Sequence, residues 1–139
     1  MSALAHASVE ALSEGGALAA RLDGFVVRPA QLRLTAAVAE AFDAREVLLA
    51  EAGTGTGKTY AYLVPALLSG LKTIISTGTR ALQDQLYHRD LPRVRDALGV
   101  AGLKSALLKG RSNYLRRYRV NQANGDPQAL RPTFTSREH

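Results

Sequence analysis

The sequence predicts an α/β fold, a parallel sheet with flanking helices, from three features that follow one another along the chain. Residues 47–50 form an apolar run of strand length that leads into the glycine-rich loop 52–57. A helical pattern of apolar residues begins directly after this loop, and the β-branched run 72–77 follows that helix. Strand, helix and strand in this order make a right-handed βαβ unit with parallel strands.

The loop between the first strand and its helix has the spacing of a phosphate-binding P-loop, with Ala52 in place of the usual first glycine. Its glycines let the backbone curl around a polyphosphate, with its N–H groups directed inward. Lys58 is predicted to bind the β- and γ-phosphates, and the Thr59 hydroxyl to coordinate Mg²⁺. A chance match is the alternative, and the flanking strand and helix argue against it. The predicted nucleotide contacts of this loop are Ala52, Gly53, Thr54, Gly55, Thr56, Gly57, Lys58 and Thr59.

Length and composition limit the other possibilities. The 139 residues have room for one compact domain, and 46% hydrophobic content is typical of a soluble globular protein. The sequence contains no apolar run long enough to span a bilayer and starts without a signal-peptide pattern, so we expect a cytoplasmic protein with no membrane partner. The absence of cysteine excludes disulfides and thiolate-bound zinc or iron–sulfur clusters on this chain.

The net charge of +6 is concentrated in the last quarter of the chain. Residues 104–139 contain eight lysines and arginines against two acidic residues. Such an excess of positive charge predicts a polyanionic partner such as a nucleic acid. A solvated basic face is an equally good interpretation on charge alone.

The residues before the P-loop predict helices and a possible base-binding group. Residues 1–23 form an alanine-rich arm that Gly15 and Gly16 divide into two short helices. A helix that starts at Pro29 should end near residues 43–44. Ahead of a P-loop strand, Gln31 is predicted to pair with an adenine edge, with Phe25 and Arg28 covering the base. Taken alone, these three are ordinary residues at an element boundary.

The residues after the P-loop predict a helix that ends near residues 69–70, the second strand, and a hydroxyl-rich loop that opens the next helix. Thr77, Gly78 and Thr79 of this loop suit contacts with a nucleic-acid backbone. Simple N-capping by threonine is an equally good interpretation. Residues 88–91 spell the start of a protein-kinase catalytic loop but lack its asparagine, so we assign them to a structural helix. Residues 104–109 are the third predicted strand.

Together these motifs resemble one family. The spacing Phe25-x-x-Arg28-x-x-Gln31, then the segments 51–59, 76–86 and 109–115, are similar in order and content to the DinG/YoaA-like helicases, XPD-related members of superfamily 2. The resemblance covers roughly residues 15–123. It implies a RecA-like fold and an ATP-driven DNA helicase that translocates 5′ to 3′ on single-stranded DNA, with Gln31 reading adenine and Lys58 and Thr59 serving phosphate and Mg²⁺. The predicted nucleic-acid contacts are Thr77, Gly78, Thr79, Lys109 and Arg111.

Two departures from the family pattern shape the remaining expectations. Arg116 stands where the cluster-bearing members have their first cysteine ligand, so no iron–sulfur cluster is expected here. The sequence has no Asp-Glu pair after an apolar strand, which a helicase motor needs to hold Mg²⁺. We therefore expect a RecA-like domain that is incomplete after its third strand and inactive alone. The alternative is a stand-alone nucleotide- or nucleic-acid-binding module without turnover. The predicted divisions are an arm at 1–23, the ATP-binding part at 24–123 and a disordered tail at 124–139.

Overall fold

A computed structural model describes residues 1–100 and 102–110 of the chain. Residues 1–105 form one compact unit, and only residues 106–110 of a second unit, 106–139, are described. The predictions for Arg111 and for the tail at 124–139 lie outside the described residues. The helical elements are α1 (Ala3–Leu12), α2 (Ala17–Arg21), α3 (Pro29–Ala44), α4 (Lys58–Leu68), α5 (Arg80–Gln85), a π-helical turn (Leu86–Asp90) and α6 (Leu91–Leu98).

The N-terminal arm forms the two short helices expected from its paired glycines. The Ser2 side chain caps α1 by accepting a hydrogen bond of 3.1 Å from the backbone N–H of Ala5. Helix α1 ends at Leu12, where Ser13 is extended, and Gly15 has a left-handed φ of 75° in the turn that leads to α2. Leu12 and Leu18 are fully buried in the main core, so the arm contributes to the folded unit.

Helix α3 confirms the expected boundaries and places one side of the candidate site. Pro29 occupies its first turn, where the missing N–H costs no hydrogen bond. Arg45 ends the helix in a left-handed conformation, with a φ of 57°. The helix packs against both α1 and α4 and buries Gln31, Thr35 and Ala39. The Gln31 side chain therefore lies at the contact between α3 and the start of α4.

The core lies where the N-terminal helices meet α4 and α6. Leu63 and Val64 of α4 and Val94 of α6 are almost completely buried there, beside the leucines of the arm. Burial of each such side chain stabilises the fold by roughly 1.5–3 kcal/mol. This packing fixes α4, and therefore the loop that leads into it. Within the described part of the chain, no helix is long and apolar enough to cross a membrane.

The prediction of three strands is not confirmed by the structure. Across residues 1–100 and 102–110, no segment forms a β-strand, and residues 46–53, 71–77 and 103–110 are irregular. Val47 is 99% exposed and Ile74 is 94% exposed. A strand is stable only when its backbone groups pair with a neighbour and its apolar side chains are covered. Among the described residues, the segments 46–53 and 71–77 have no ladder partner.

These irregular segments nevertheless keep the alternation of a sheet strand. Leu48 is 41% exposed between Val47 and Leu49, which are both almost fully exposed. Ile75 packs against the helical core, whereas its neighbour Ile74 faces solvent. A period of two along the chain places successive side chains on opposite faces. The contact of Ile75 with the helical core shows that the helices cover one side of the segment at residues 71–77.

Candidate functional site

The glycine-rich loop has the conformation that its sequence predicts. Gly55 and Gly57 have φ values of 75° and 79°, which residues with a Cβ adopt only at a cost. The Thr56 hydroxyl donates a hydrogen bond of 2.9 Å to the carbonyl of Gly53 and holds the loop closed. Helix α4 begins at Lys58, directly after Gly57. The positive end of the helix dipole therefore lies at the loop, where it favours an anion.

The side chain of Lys58 folds back over this loop. Its Nζ donates hydrogen bonds of 2.6 Å to the carbonyl of Ala52 and 2.7 Å to the carbonyl of Gly53. The ammonium is held on the open side of the loop and remains exposed. A bound phosphate would replace two neutral acceptors by charged ones, which form stronger hydrogen bonds. The backbone cradle and the tethered cation therefore fit a polyphosphate.

A cleft of about 390 Å³ opens at this loop, and we call it the P-loop cleft. Three cationic side chains and one carboxylate line it, so its electrostatic character favours anions. Its lining residues are Arg28, Gly55, Thr56, Gly57, Lys58, Thr59, Tyr60, Gln85, Arg89 and Asp90.

A second cleft, of about 480 Å³, shares Arg28, Gly57 and Tyr60 with the first. We call it the aromatic cleft, because the rings of Phe25 and Tyr60 stack there with centroids 6.3 Å apart and an interplanar angle of 27°. Stacked aromatic rings offer a flat apolar surface suited to a nucleobase. The other residues that line this cleft are Arg21, Leu22, Asp23, Gly24, Val26, Gln31 and Arg93.

Gln31 joins the aromatic cleft to the P-loop. Its Nε2 donates a hydrogen bond of 2.9 Å to the carbonyl of Gly57, and the residue is only 1% exposed. Its Oε1 is buried and has no hydrogen-bond partner among the described residues. A buried polar atom without a partner is uncommon in folded proteins. The structure thus brings the predicted trio Phe25, Arg28 and Gln31 together at one cleft.

Tyr60 is not among the site residues predicted from the sequence, because the residues after Thr59 predict only a helix. Tyr60 is partly buried on the first turn of α4 and lines both clefts. The sequence signal that could have identified Tyr60 is its position as an aromatic residue directly after Gly-Lys-Thr. Helix geometry directs this side chain back toward the loop that precedes the helix.

The structure also brings Arg89 and Asp90 to the P-loop cleft, although the sequence analysis assigned them a structural role. The buried Asp90 carboxylate accepts a hydrogen bond of 2.9 Å from the Nε of Arg89 and one of 3.3 Å from the Nε2 of Gln85. Hydrogen bonding to Asp90 raises the pKa of the Arg89 guanidinium, which stays charged. No residue pattern in the sequence links this group to the P-loop about 30 positions earlier.

The π-helical turn explains how the Arg89–Asp90 pair is presented. The backbone N–H of Leu91 donates to the carbonyl of Leu86, five positions earlier, and Pro92 follows at once. In a regular helix, Pro92 would have no N–H for the carbonyl of His88 and would clash with it. The wider turn accommodates the proline. π-helical turns of this kind are frequent at functional sites.

Asp90 also acts on the first turns of α4. Burial raises the pKa of the Tyr62 phenol above its ordinary value, and the negative charge of Asp90 acts in the same direction. A hydrogen bond with the Thr59 side chain opposes this shift. Tyr62 therefore remains a neutral phenol at physiological pH, close to the threonine predicted to coordinate Mg²⁺.

The hydroxyl-rich loop at residues 77–79 shows the N-capping that the sequence analysis left open. Thr79 Oγ1 accepts a hydrogen bond of 3.2 Å from the backbone N–H of Leu82 and caps α5. Thr77 Oγ1 donates a hydrogen bond of 3.2 Å to the carbonyl of Thr79. Gly78 and Thr79 are exposed.

Comparisons with known proteins agree with the motif order. Residues 28–128 match the DEAD/DEAH box helicase family. The chain is 54% identical over 110 residues, or 79% of its length, to the ATP-dependent DNA helicase YoaA of Haemophilus influenzae. It is 55% identical over 114 residues, or 80% of its length, to YoaA of Escherichia coli. It is 49% identical over 106 residues, or 71% of its length, to the ATP-dependent helicase DinG of Mycobacterium tuberculosis. No solved structure matches the chain.

The chain spans less than a fifth of these curated relatives, namely 17%, 18% and 16% of their respective lengths. The family match at residues 28–128 contains the P-loop and every residue of the P-loop cleft, whereas residues 21–26 of the aromatic cleft lie before it. The similarity therefore covers the P-loop and the cleft beside it.

Proposed function

Because the chain belongs to the DEAD/DEAH box helicase family and resembles its DinG/YoaA-like members, we propose that it binds Mg-ATP at the P-loop and aromatic clefts. The family implies a RecA-like P-loop fold and the use of ATP and Mg²⁺. The observation that carries the proposal is the curled loop with left-handed Gly55 and Gly57 and with Lys58 held over it. This arrangement supplies backbone N–H groups, a helix dipole and a cation to one anion.

The two clefts divide the nucleotide between them in this proposal. Adenine stacks in the aromatic cleft beside Phe25, and Arg28 lies in the wall that both clefts share. Gln31 pairs with the adenine edge once its side chain, which is 1% exposed and bonded through Nε2 to the carbonyl of Gly57, turns toward the cleft. The phosphates lie against the loop 52–57 and Lys58.

Thr59 would hold the Mg²⁺ ion through its hydroxyl, because it lines the P-loop cleft one residue after Lys58. When bound, Mg²⁺ neutralises part of the phosphate charge. The chain's own contribution is to orient the polyphosphate and to keep the Lys58 ammonium beside it.

Isothermal titration calorimetry of the 139-residue chain tests this proposal. We expect one Mg-ATP per chain, with AMP at least roughly tenfold weaker, because AMP makes fewer charge-assisted contacts with the loop. The control is circular dichroism of the same sample, which establishes that the helices are formed. A folded sample that gives no heat with Mg-ATP would disprove the proposal.

We further propose that the whole protein couples ATP hydrolysis to DNA unwinding, and that this chain contributes contacts to single-stranded DNA. The support is the hydroxyl-bearing loop at Thr77, Gly78 and Thr79, of which Gly78 and Thr79 are exposed, and the positive charge at Lys109 and Arg111. The printed names of the relatives, ATP-dependent DNA helicase and ATP-dependent helicase, point the same way.

Replacing Lys109 and Arg111 together by alanine should weaken binding of a fluorescein-labelled oligo-dT several-fold. Each lost phosphate contact on a single strand reduces the slope of log K against log salt by about 0.7, so the pair should reduce it by about 1.4. Fluorescence anisotropy at a series of salt concentrations measures both quantities. Arg33→Ala, on the exposed face of α3, is the control and should leave the slope unchanged. An unchanged slope in the double variant would exclude these two contacts.

A further inference from the structure

The P-loop cleft contains a cation that the P-loop motif does not include. Arg89 lines this cleft together with Lys58 and Thr59. Its side chain is 53% exposed, so the guanidinium is accessible to a ligand. The cation comes from the π-helical turn, which places it there independently of the loop sequence.

Asp90 fixes the orientation of this arginine. The Nε of Arg89 donates a hydrogen bond to Oδ1 of Asp90. The other carboxylate oxygen of Asp90 accepts a hydrogen bond from Gln85. A guanidinium has five N–H donors in a rigid fork, so anchoring through Nε leaves the donors of both terminal nitrogens for another acceptor. Asp90 is buried and both of its carboxylate oxygens are hydrogen-bonded, to Arg89 and to Gln85, so the guanidinium is the more accessible of the two charged groups.

The order of the clefts indicates which part of a nucleotide lies near Arg89. Phe25 and Gln31 line only the aromatic cleft, whereas Lys58, Thr59 and Arg89 line only the P-loop cleft. Arg28, Gly57 and Tyr60 form the shared wall between them. A nucleotide with its base in the aromatic cleft therefore extends its far phosphates toward Arg89.

We propose that Arg89, oriented by Asp90, binds the terminal phosphate of ATP and makes this site prefer ATP over ADP. The inference rests on the proposed binding of Mg-ATP to the two clefts. It assigns a phosphate-binding arginine to the same compact unit as the P-loop. Asp90 is a positioning residue in this arrangement, since it acts through the guanidinium.

Titration of Arg89→Ala with Mg-ATP, Mg-ADP and AMP tests the inference. Loss of a charge-assisted hydrogen bond at a half-exposed site should weaken Mg-ATP about tenfold, while ADP and AMP change less than about twofold. Arg89→Lys should lie between alanine and the natural residue, because one ammonium cannot reproduce a guanidinium fork that binds Asp90 and phosphate together.

Arg95→Ala is the matched control. Arg95 forms the same bond from its Nε to the carboxylate of the next residue, Asp96, at 3.1 Å, but it lines neither cleft. The control should bind all three nucleotides as the natural chain does. If Arg89→Ala matches the control, or weakens ATP and ADP equally, the inference is wrong. In either case the proposed function remains supported if the natural chain binds Mg-ATP and the Lys58→Ala variant does not.

Discussion

Replacement of Lys58 by alanine is expected to abolish measurable Mg-ATP binding. Lys58 is the cation held directly over the loop, and its Nζ bonds to the carbonyls of Ala52 and Gly53 show that the ammonium already lies at the mouth of the cradle. Loss of one partner of such a charged contact costs about 2–4 kcal/mol, or roughly 30- to 1,000-fold in affinity. Arg28 and Arg89 remain in the cleft but do not bond to the loop carbonyls.

Calorimetry with Mg-ATP measures this loss, and urea denaturation shows whether the variant is folded. The Lys58 side chain is exposed, so its removal should change the free energy of unfolding by less than about 0.5 kcal/mol. Lys72→Ala removes an exposed lysine outside both clefts and should bind as the natural chain does. Unchanged affinity in Lys58→Ala would mean that the nucleotide does not use this loop.

The loop could be predicted from sequence because its geometry is local. Gly55 and Gly57 adopt left-handed φ values that few other residues tolerate, and the helix that starts at Lys58 follows directly from the next residues. The start of α3 at Pro29 was predictable for the same reason, since proline is suited to a first turn. In each case one or two adjacent residues determine the local backbone conformation.

Arg89 and Asp90 could not be predicted because their place depends on packing between distant helices. Both lie in the π-helical turn, and they reach the P-loop because this turn and α6 pack against α4. The strands failed as predictions for a related reason. Val47 and Ile74 have the side chains of a buried strand, but a strand forms only with a partner, and these segments have none within the described residues.

Gly57→Ala is expected to have the largest effect on the folded loop. Gly57 has a φ of 79°, and a Cβ there would lie 2.8 Å from Cδ of Gln31 and overlap its Nε2. Left-handed strain costs about 1–2 kcal/mol, and crowding against a buried side chain adds about 1–3 kcal/mol. We therefore expect a loss of roughly 2–5 kcal/mol in the free energy of unfolding and a marked loss of Mg-ATP affinity.

Gly55→Ala separates strain from crowding, because Gly55 has a φ of 75° but no atom within 4 Å of the added Cβ. It should cost only about 1–2 kcal/mol, the part due to strain. The double variant Gly57→Ala with Gln31→Ala removes the overlap, so its cost in urea denaturation should be lower than the sum of the single costs by at least about 1 kcal/mol. Additive costs within about 0.5 kcal/mol would mean that Gln31 does not restrict the loop. Gln31 would then be free to act on the base alone, without coupling the aromatic cleft to the phosphate cradle through Gly57.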